Sequence, residues 1–372
     1  MIAITNCSFF ENGILREHTN ILIRNGRIVS LHAVHIPESY RILDLQGALL
    51  APGFMDLQIY GWGGNLFSAY PTVETLRQMD EDLIRAGTTY FLACLATNSL
   101  EVFRQAIDAA KIYRQEAKGF MGLHLEGPYL NPKRLGAHVP EFVRKATLDE
   151  VKELIEYADG TVKMMTIAAE LQDDDVIAYL LDQGILVSLG HSDASFEQAT
   201  AAYNKGIKTT THLFNAMPSI HHRAPNLPVA LFNHRTAMGS IIADGLHVDF
   251  EVVKMAYKLL KDRLFLITDA VTACNIGPYQ HRLSGDKYVT GEGTLSGSNI
   301  TMLQAVRNCI IHCDVELSDA INLASKNPAK LIRHENAGEI AIGRRADLLV
   351  LSPELKLQQV FVDGLEQLPL NN

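Results

Sequence analysis

The amino-acid sequence predicts an α/β fold: a (β/α)8 TIM barrel with a small β-sandwich domain formed by the N- and C-terminal segments. Two patterns carry this prediction. From residue 49 onward short apolar runs alternate with amphipathic helical windows, while both ends of the chain read as short strands joined by tight turns. Strands that are apolar almost throughout suit a parallel sheet buried on both faces by helices. Eight such units closing on themselves make the barrel.

Residues 1–50 carry turn signals at Asn12-Gly13, Asn25-Gly26 and Gln46-Gly47, between alternating segments such as ILIRNGRIVSL. They form the first part of the small domain. Eight apolar runs follow: LLAPGFMDLQI, TTYFLACLAT, GFMGLHLEGP, VKMMTIAAE, ILVSLGHSD, IKTTTHLFNA, MGSIIADGLHV and RLFLITDAVTA. Between most of them lie helical windows, among them TVETLRQMDEDLIRAG and LEVFRQAIDAAKIYRQEAKG. The second places Val102, Phe103, Ala106, Ile107, Ala110 and Tyr113 close to helical spacing. The barrel is assigned to residues 51–338. Residues 339–372 return to strand character and complete the small domain.

Composition sets the broad class. The chain has 372 residues, 47% hydrophobic and 20% charged, enough for a sizeable globular core. A net charge of −9 argues against a general nucleic-acid surface, though it leaves room for a local basic pocket that holds a phosphate. Cys7, Cys94, Cys274, Cys309 and Cys313 form no CxxC pair. Their odd number, and an N-terminus (MIAITNCSFF) without a charged, cleavable leader, predict reduced thiols and a cytoplasmic protein. No apolar run approaches the roughly 20 residues that span a bilayer, so no membrane partner is expected.

Catalysis in such barrels lies at the C-terminal ends of the strands. Those positions hold Gln58 and Tyr60 after run one, Thr97-Asn98 after run two, Glu126 after run three and Glu170 after run four. His191 follows run five, His212 and Asn215 run six, Asp244 and His247 run seven, and Asp269 run eight. Apolar strands that repeatedly finish in His, Glu or Asp are costly unless those groups are paired, hydrated or bound to a metal. His191 and His212 end consecutive strands and can approach one cation, with Glu126 adding an oxygen ligand from across the mouth. Two imidazoles and a carboxylate, with a fourth position for water, form a recognised catalytic zinc set. Zinc lowers the pKa of such a water towards about 7, and Asp269 is placed to take its proton and return it to a leaving group.

Beyond this, the sequence resembles a known family. PGFMDLQIYGWGG is similar to the PGxxDxHxHG segment that opens barrels of the amidohydrolase superfamily. HLEGPYLNPKRLGAH, LGHSDAS, THLFNAMPSIHHRAPN, ADGLHVD and LITDAVTA resemble, in order, segments of the N-acetylglucosamine-6-phosphate deacetylase family. The likeness covers almost the whole chain. It implies that Glu126, His191 and His212 hold one divalent metal per subunit, Zn²⁺ by preference with Fe²⁺, Mn²⁺ or Co²⁺ as alternatives, and that Asp269 is the general acid/base. It implies substrate contacts at Ala137, His138, Asn215, Ala216, His247, Leu295, Ser296 and Gly297. It further implies that Arg223 grips the phosphate of an amino-sugar phosphate across the interface of a homodimer.

One departure stands out. Many amidohydrolases carry His-x-His at the end of the first strand and bind a second metal there; this chain has Gln58 and Tyr60, poor substitutes for imidazole. A one-metal site is therefore expected, and because the resembled family also has members with a non-histidine pair here, the departure does not weaken the resemblance. The expected reaction has Asp269 deprotonating the attacking water, His138 or the metal stabilising the oxyanion, and Asp269 protonating the departing amine.

Other residues have plainer readings. The Cys309–Cys313 stretch is a helix packing its apolar face. His221-His222 shape the loop that presents Arg223. Trp62 either floors the pocket or packs the first loop, Glu170 anchors a loop, Asp56 is structural, and Arg344-Arg345 form a solvated turn. Competing functions are another amidohydrolase (dihydroorotase-like, or acting on N-acyl amino acids), a deacetylase of N-acetylgalactosamine 6-phosphate, and a sugar-phosphate-binding barrel without catalysis.

Overall fold

Eight parallel strands ring the centre of a computed structural model that describes residues 1–370. In chain order they are Phe54–Ile59, Thr88–Ala96, Phe120–Glu126, Val162–Ile167, Leu186–Leu189, Thr209–Thr210, Met238–Ile241 and Leu264–Leu266. Each pairs with the next. The ring closes where Asp269 donates its backbone N–H to Gln58 O at 3.0 Å and Tyr60 donates to Ala270 O at 2.9 Å. Every residue of the first two strands is buried, which is why their sequences are apolar without alternation.

Helices follow the strands in order: α1 (Val73–Arg85), α2 (Leu100–Tyr113), α3 (Leu148–Ala158), α4 (Asp174–Asp182), α5 (Phe196–Asn204), α6 (Leu227–Asn233), α7 (Phe250–Leu260) and α8 (Met302–Cys313). Five start on a hydroxyl cap. Thr72, Ser99, Thr147, Ser195 and Thr301 each accept a backbone N–H from three residues on, a contact worth about 1 kcal/mol. In α2 the residues at helical spacing, Phe103, Ala106, Ile107, Ala110 and Tyr113, are the buried ones. Cys309 and Cys313 lie on the buried face of α8, and all five cysteines are free. No helix among the described residues is long and apolar enough to cross a membrane.

The first apolar run holds two strands. Leu49–Pro52 pairs antiparallel with Leu348–Leu351 outside the barrel, and Phe54–Ile59 opens the barrel itself. Gly53 makes the passage, because a Cβ there would lie 2.0 Å from Thr89 Oγ1. The expected division after residue 50 therefore falls inside a strand.

The two ends of the chain build the remaining sheets. Ile2–Glu11 pairs with Ile14–Arg24 and Arg41–Asp44, and Arg27–Ser30 extends this sheet. Leu357–Val362 and Leu365–Gln367 extend the one that contains Leu49–Pro52. A single pairing, Ser8 with Leu49, joins the two. The register of the first strand shifts on either side of Cys7, an irregularity that bends a strand. Ile4, Phe9, Ile21 and Ile28 share a core with Leu348, Val350 and Phe361. Asn371 and Asn372, the end of the expected 339–372 segment, lie outside the described residues.

The expectation of a solvated Arg344-Arg345 turn is corrected at Arg345. Its Nε sits 2.7 Å from Oδ2 of Asp347, whose side chain is 3% exposed, and its guanidinium lies over the Tyr90 ring. A carboxylate buried to that degree needs a cationic partner, and the neighbouring arginine supplies it. Arg344 pairs with Glu339 at 3.0 Å.

Candidate metal and substrate site

Glu126, His191 and His212 are buried at the C-terminal ends of three barrel strands, and their donor atoms converge. Glu126 Oε1 lies 3.2 Å from His191 Nε2 and 2.9 Å from His212 Nε2. The two imidazole nitrogens are 3.1 Å apart. Ligands of tetrahedral zinc at 2.0–2.1 Å stand about 3.3 Å from one another, so these three atoms form nearly one face of such a tetrahedron.

Their partners fix which atoms face inward. His191 Nδ1 lies 2.8 Å from Arg134 O; a carbonyl only accepts, so Nδ1 carries the hydrogen and Nε2 presents a lone pair. Burial, reinforced by the nearby His138, pushes His191 down to about 4, which leaves it neutral and able to ligate near pH 7. Burial alone would raise Glu126, but the imidazoles of His191 and His138 outweigh it and hold the carboxyl well below the usual range. Glu126 Oε2 faces away from the pair of imidazole nitrogens and takes hydrogen bonds from Tyr60 Oη and from His138 Nε2, the latter at 3.0 Å. His138 Nδ1 accepts the Thr97 N–H at 3.3 Å, so its remaining ring hydrogen sits on Nε2.

Backbone shape contributes as well. His191, His212 and Asp269 have φ of 46°, 31° and 54°, a left-handed conformation that costs a non-glycine residue on the order of 1–3 kcal/mol. It turns each chain sharply as the strand ends. Asp269 Oδ1 lies 2.7 Å from Gln58 Nε2. Desolvation raises its proton affinity above the ordinary carboxylate range and the charge of Glu126 adds to this, while His212 opposes it. A carboxylate of raised basicity beside a metal-ligand set suits general base work.

The cavity over this cluster is lined by Ala137, His138, Asn215, Ala216 and His247, and by Leu295, Ser296 and Gly297. His247 is held by Asp244, with Nδ1 2.6 Å from Oδ2. The expected site residues therefore meet at one cavity, with one exception. Arg223 lies exposed in the loop after the sixth strand and does not line it; its Nη1 is 2.8 Å from His222 Nε2, and the His221 and His222 rings stack behind it. Glu170 anchors a loop, its carboxylate accepting from Asn131 Nδ2, Ser192 Oγ and the Asp193 N–H. Asp56 lies below, bonded to Thr268. Trp62 packs against the core and does not line the cavity.

Tyr279 and His281 also line the cavity, and nothing in their sequence context announces them. They belong to an excursion after the last strand that includes the three-stranded sheet Arg282–Ser284, Lys287–Val289 and Leu295–Gly297. Tyr279 Oη donates to Thr97 O at 2.5 Å, and His281 Nδ1 lies 2.9 Å from Ser296 Oγ. The segment is rich in turn residues and lies well beyond the residues that close the last strand, so strand-end reading passes over it. Gln58 and Tyr60 stand out in the sequence only as missing ligands, yet both touch the acidic groups of the site.

Comparison with known proteins gives a consistent result. Residues 49–366 match the model of the amidohydrolase family. The N-acetylglucosamine-6-phosphate deacetylase of Haemophilus influenzae is 31% identical, over 97% of this chain and 98% of its own. The N-acetylgalactosamine-6-phosphate deacetylase of a Shewanella species is also 31% identical, over 98% of this chain and 95% of its own. A solved structure of a mutant N-acetyl-D-glucosamine-6-phosphate deacetylase from Mycobacterium smegmatis, in complex with N-acetyl-D-glucosamine-6-phosphate, superimposes with a TM-score of 0.90 at 31% identity, covering 98% of each chain. With a matching family model over most of its length and relatives alike from end to end, the chain belongs to the amidohydrolase family.

Proposed function

We propose that the protein hydrolyses the acetamide of N-acetyl-D-glucosamine 6-phosphate, releasing acetate and D-glucosamine 6-phosphate. The observation that supports this most is the convergence of Glu126, His191 and His212 within metal-ligand spacing, with Asp269 lining the same cavity. One divalent cation held by this trio would acidify the attacking water and polarise the acetyl carbonyl. Two nitrogens and a carboxylate suit Zn²⁺, and Fe²⁺, Mn²⁺ and Co²⁺ accept similar donors.

The side chains divide the remaining work. Asp269 accepts the proton of the water as its oxygen attacks the carbonyl carbon, then delivers a proton to the amine nitrogen as the C–N bond breaks. His138 carries its hydrogen on Nε2, and we assign that donor, now on Glu126, to the developing oxyanion. Asn215, Ala216, Ala137 and the Leu295-Ser296-Gly297 strand contact the sugar, with His247 oriented by Asp244. Arg223 lies outside its own cavity and is assigned to the substrate phosphate of a neighbouring subunit, which makes the protein a homodimer. Five free cysteines suit the reducing cytoplasm.

The 4-epimer is the competing substrate, because relatives named for either sugar are equally similar to this chain. Purified enzyme assayed on both phosphorylated sugars decides. A kcat/KM at least about tenfold higher for the gluco substrate supports the proposal; the reverse order assigns the galacto sugar. No acetate release from either, with metal bound, leaves a binding protein.

A further inference from the structure

Gln58 is the penultimate residue of the first barrel strand and is 1% exposed. Its Nε2 lies 2.7 Å from Asp269 Oδ1, 3.1 Å from Glu126 Oε1 and 3.1 Å from Tyr60 Oη. Ionised carboxylates only accept hydrogen bonds, which sets the orientation of the amide: the nitrogen faces them. The amide has two hydrogens for three oxygens. Tyr60 gives its own hydrogen to Glu126 Oε2, and the charged acceptors form the stronger bonds, so one amide hydrogen goes to each carboxylate.

This places a neutral double donor between two acidic groups that repel each other. The same two residues are also tied through the main chain, since Asp269 N–H donates to Gln58 O at 3.0 Å. Asp269 is thus tethered twice to Gln58, at the seam where the first and last strands meet. That seam is also where its backbone adopts the unfavourable φ of 54°. Gln58 Oε1 is left buried without a partner among the described residues, a cost that a merely space-filling position has no reason to carry.

We propose that Gln58 is a positioning residue: it holds the Asp269 carboxylate aimed at the water, and its N–H groups offset the repulsion between Asp269 and Glu126. This rests on the deacetylase reading of the site. Gln58→Met keeps the length of the side chain and removes both donors. Its kcat on N-acetylglucosamine 6-phosphate should fall about 100-fold, the scale of a misplaced catalytic group. KM should stay within about threefold, and metal content by elemental analysis should match the wild type, because Glu126, His191, His212 and the groups assigned to the sugar are all retained.

An unchanged kcat overturns the proposal. So does loss of the metal, or a rise in KM in step with the fall in kcat, either of which makes Gln58 a ligand-retention or packing residue. Should the methionine variant fail to fold, Gln58→Glu has the native shape and replaces the donors with a third carboxylate. A kcat loss at least as large supports the role, and wild-type turnover overturns it. Wild-type enzyme is the control that separates the two readings: if it is inactive the deacetylase assignment fails, whereas an active wild type with an unaffected variant defeats this inference alone.

Discussion

Glu126, His191 and His212 stand at the ends of barrel strands, buried to at most 5% exposure and locked by bonds to Tyr60, Arg134 O and one another. Arg223 stands in an exposed loop with one side-chain hydrogen bond, to its neighbour His222. Tyr279 and His281 sit between these extremes, buried but carried by an excursion outside the barrel. The reacting end of the cavity is therefore built on elements that move only if the barrel opens. The end assigned to recognition is carried by a loop and an excursion outside the barrel, the kind of segment that opens without the rest of the fold. Substitutions at the first end should act on turnover and at the second on KM.

Removing the metal is the largest test. Dialysis against a chelator should abolish acetate release while the far-ultraviolet dichroism stays native, because the strand ends are held by the ring and not by the ion. Readdition of one equivalent of Zn²⁺ per chain should restore activity. An apo-enzyme that keeps turning over breaks the comparison at its base. Next comes Asp269→Asn, which keeps the shape and removes the ionisable carboxyl; kcat should fall on the order of 10²–10⁴-fold with metal content unchanged. A variant as active as wild type would relocate the proton transfer.

Arg223→Ala probes the other end. It should raise KM for the phosphorylated sugar roughly 10- to 100-fold, in line with the loss of charge-assisted hydrogen bonds worth about 1.5–3 kcal/mol, and leave kcat near the wild-type value. Unphosphorylated N-acetylglucosamine should show no such penalty. An equal effect on both sugars means that Arg223 shapes a loop and grips no phosphate. Mixing Arg223→Ala with Asp269→Asn subunits sharpens the test: if the arginine acts across an interface, mixed dimers carry one intact site and recover activity that neither parent has at low substrate.

The same division explains what was legible in the sequence. Glu126, His191, His212 and Asp269 each interrupt an apolar run, and a strand that ends in a buried acid or imidazole is anomalous enough to read without coordinates. All eight barrel strands lie within the apolar runs because burial on both faces leaves no polar alternation. The first run concealed two strands, since Leu49–Pro52 is as apolar as Phe54–Ile59 and only the steric demand at Gly53 separates them. Arg345 looks solvated in the sequence because the carboxylate that draws it in, Asp347, becomes buried only when the chain returns to the small domain. Tyr279 and His281 leave no trace in local pattern; their place is set by long-range contacts to Thr97 and Ser296.

Two histidines turn the comparison into a pH experiment of smaller effect. Burial pushes both His124, inside the barrel, and His281, in the excursion, down to about 4. With folded values depressed below the ordinary 6.5, the opened state binds the proton first, so stability is present above pH 6.5 and is lost as pH falls towards 4. For His124, wedged between Leu57 O at 3.0 Å and Thr166 Oγ1 at 2.8 Å, opened means unfolded, and the loss appears only in the global melt. For His281 the expected opening is that of the excursion alone. Between pH 7.5 and pH 5 its opening equilibrium should shift by about thirtyfold, measured as amide exchange across residues 274–297 after correction for the intrinsic rate. KM should rise over the same interval. In His281→Gln, which keeps a polar partner for Ser296 without the titrating ring, exchange in this segment should no longer respond to pH. If wild type and variant respond alike, or if the segment exchanges only with the barrel strands, the excursion is as rigid as the strand ends and the two halves of the site are one.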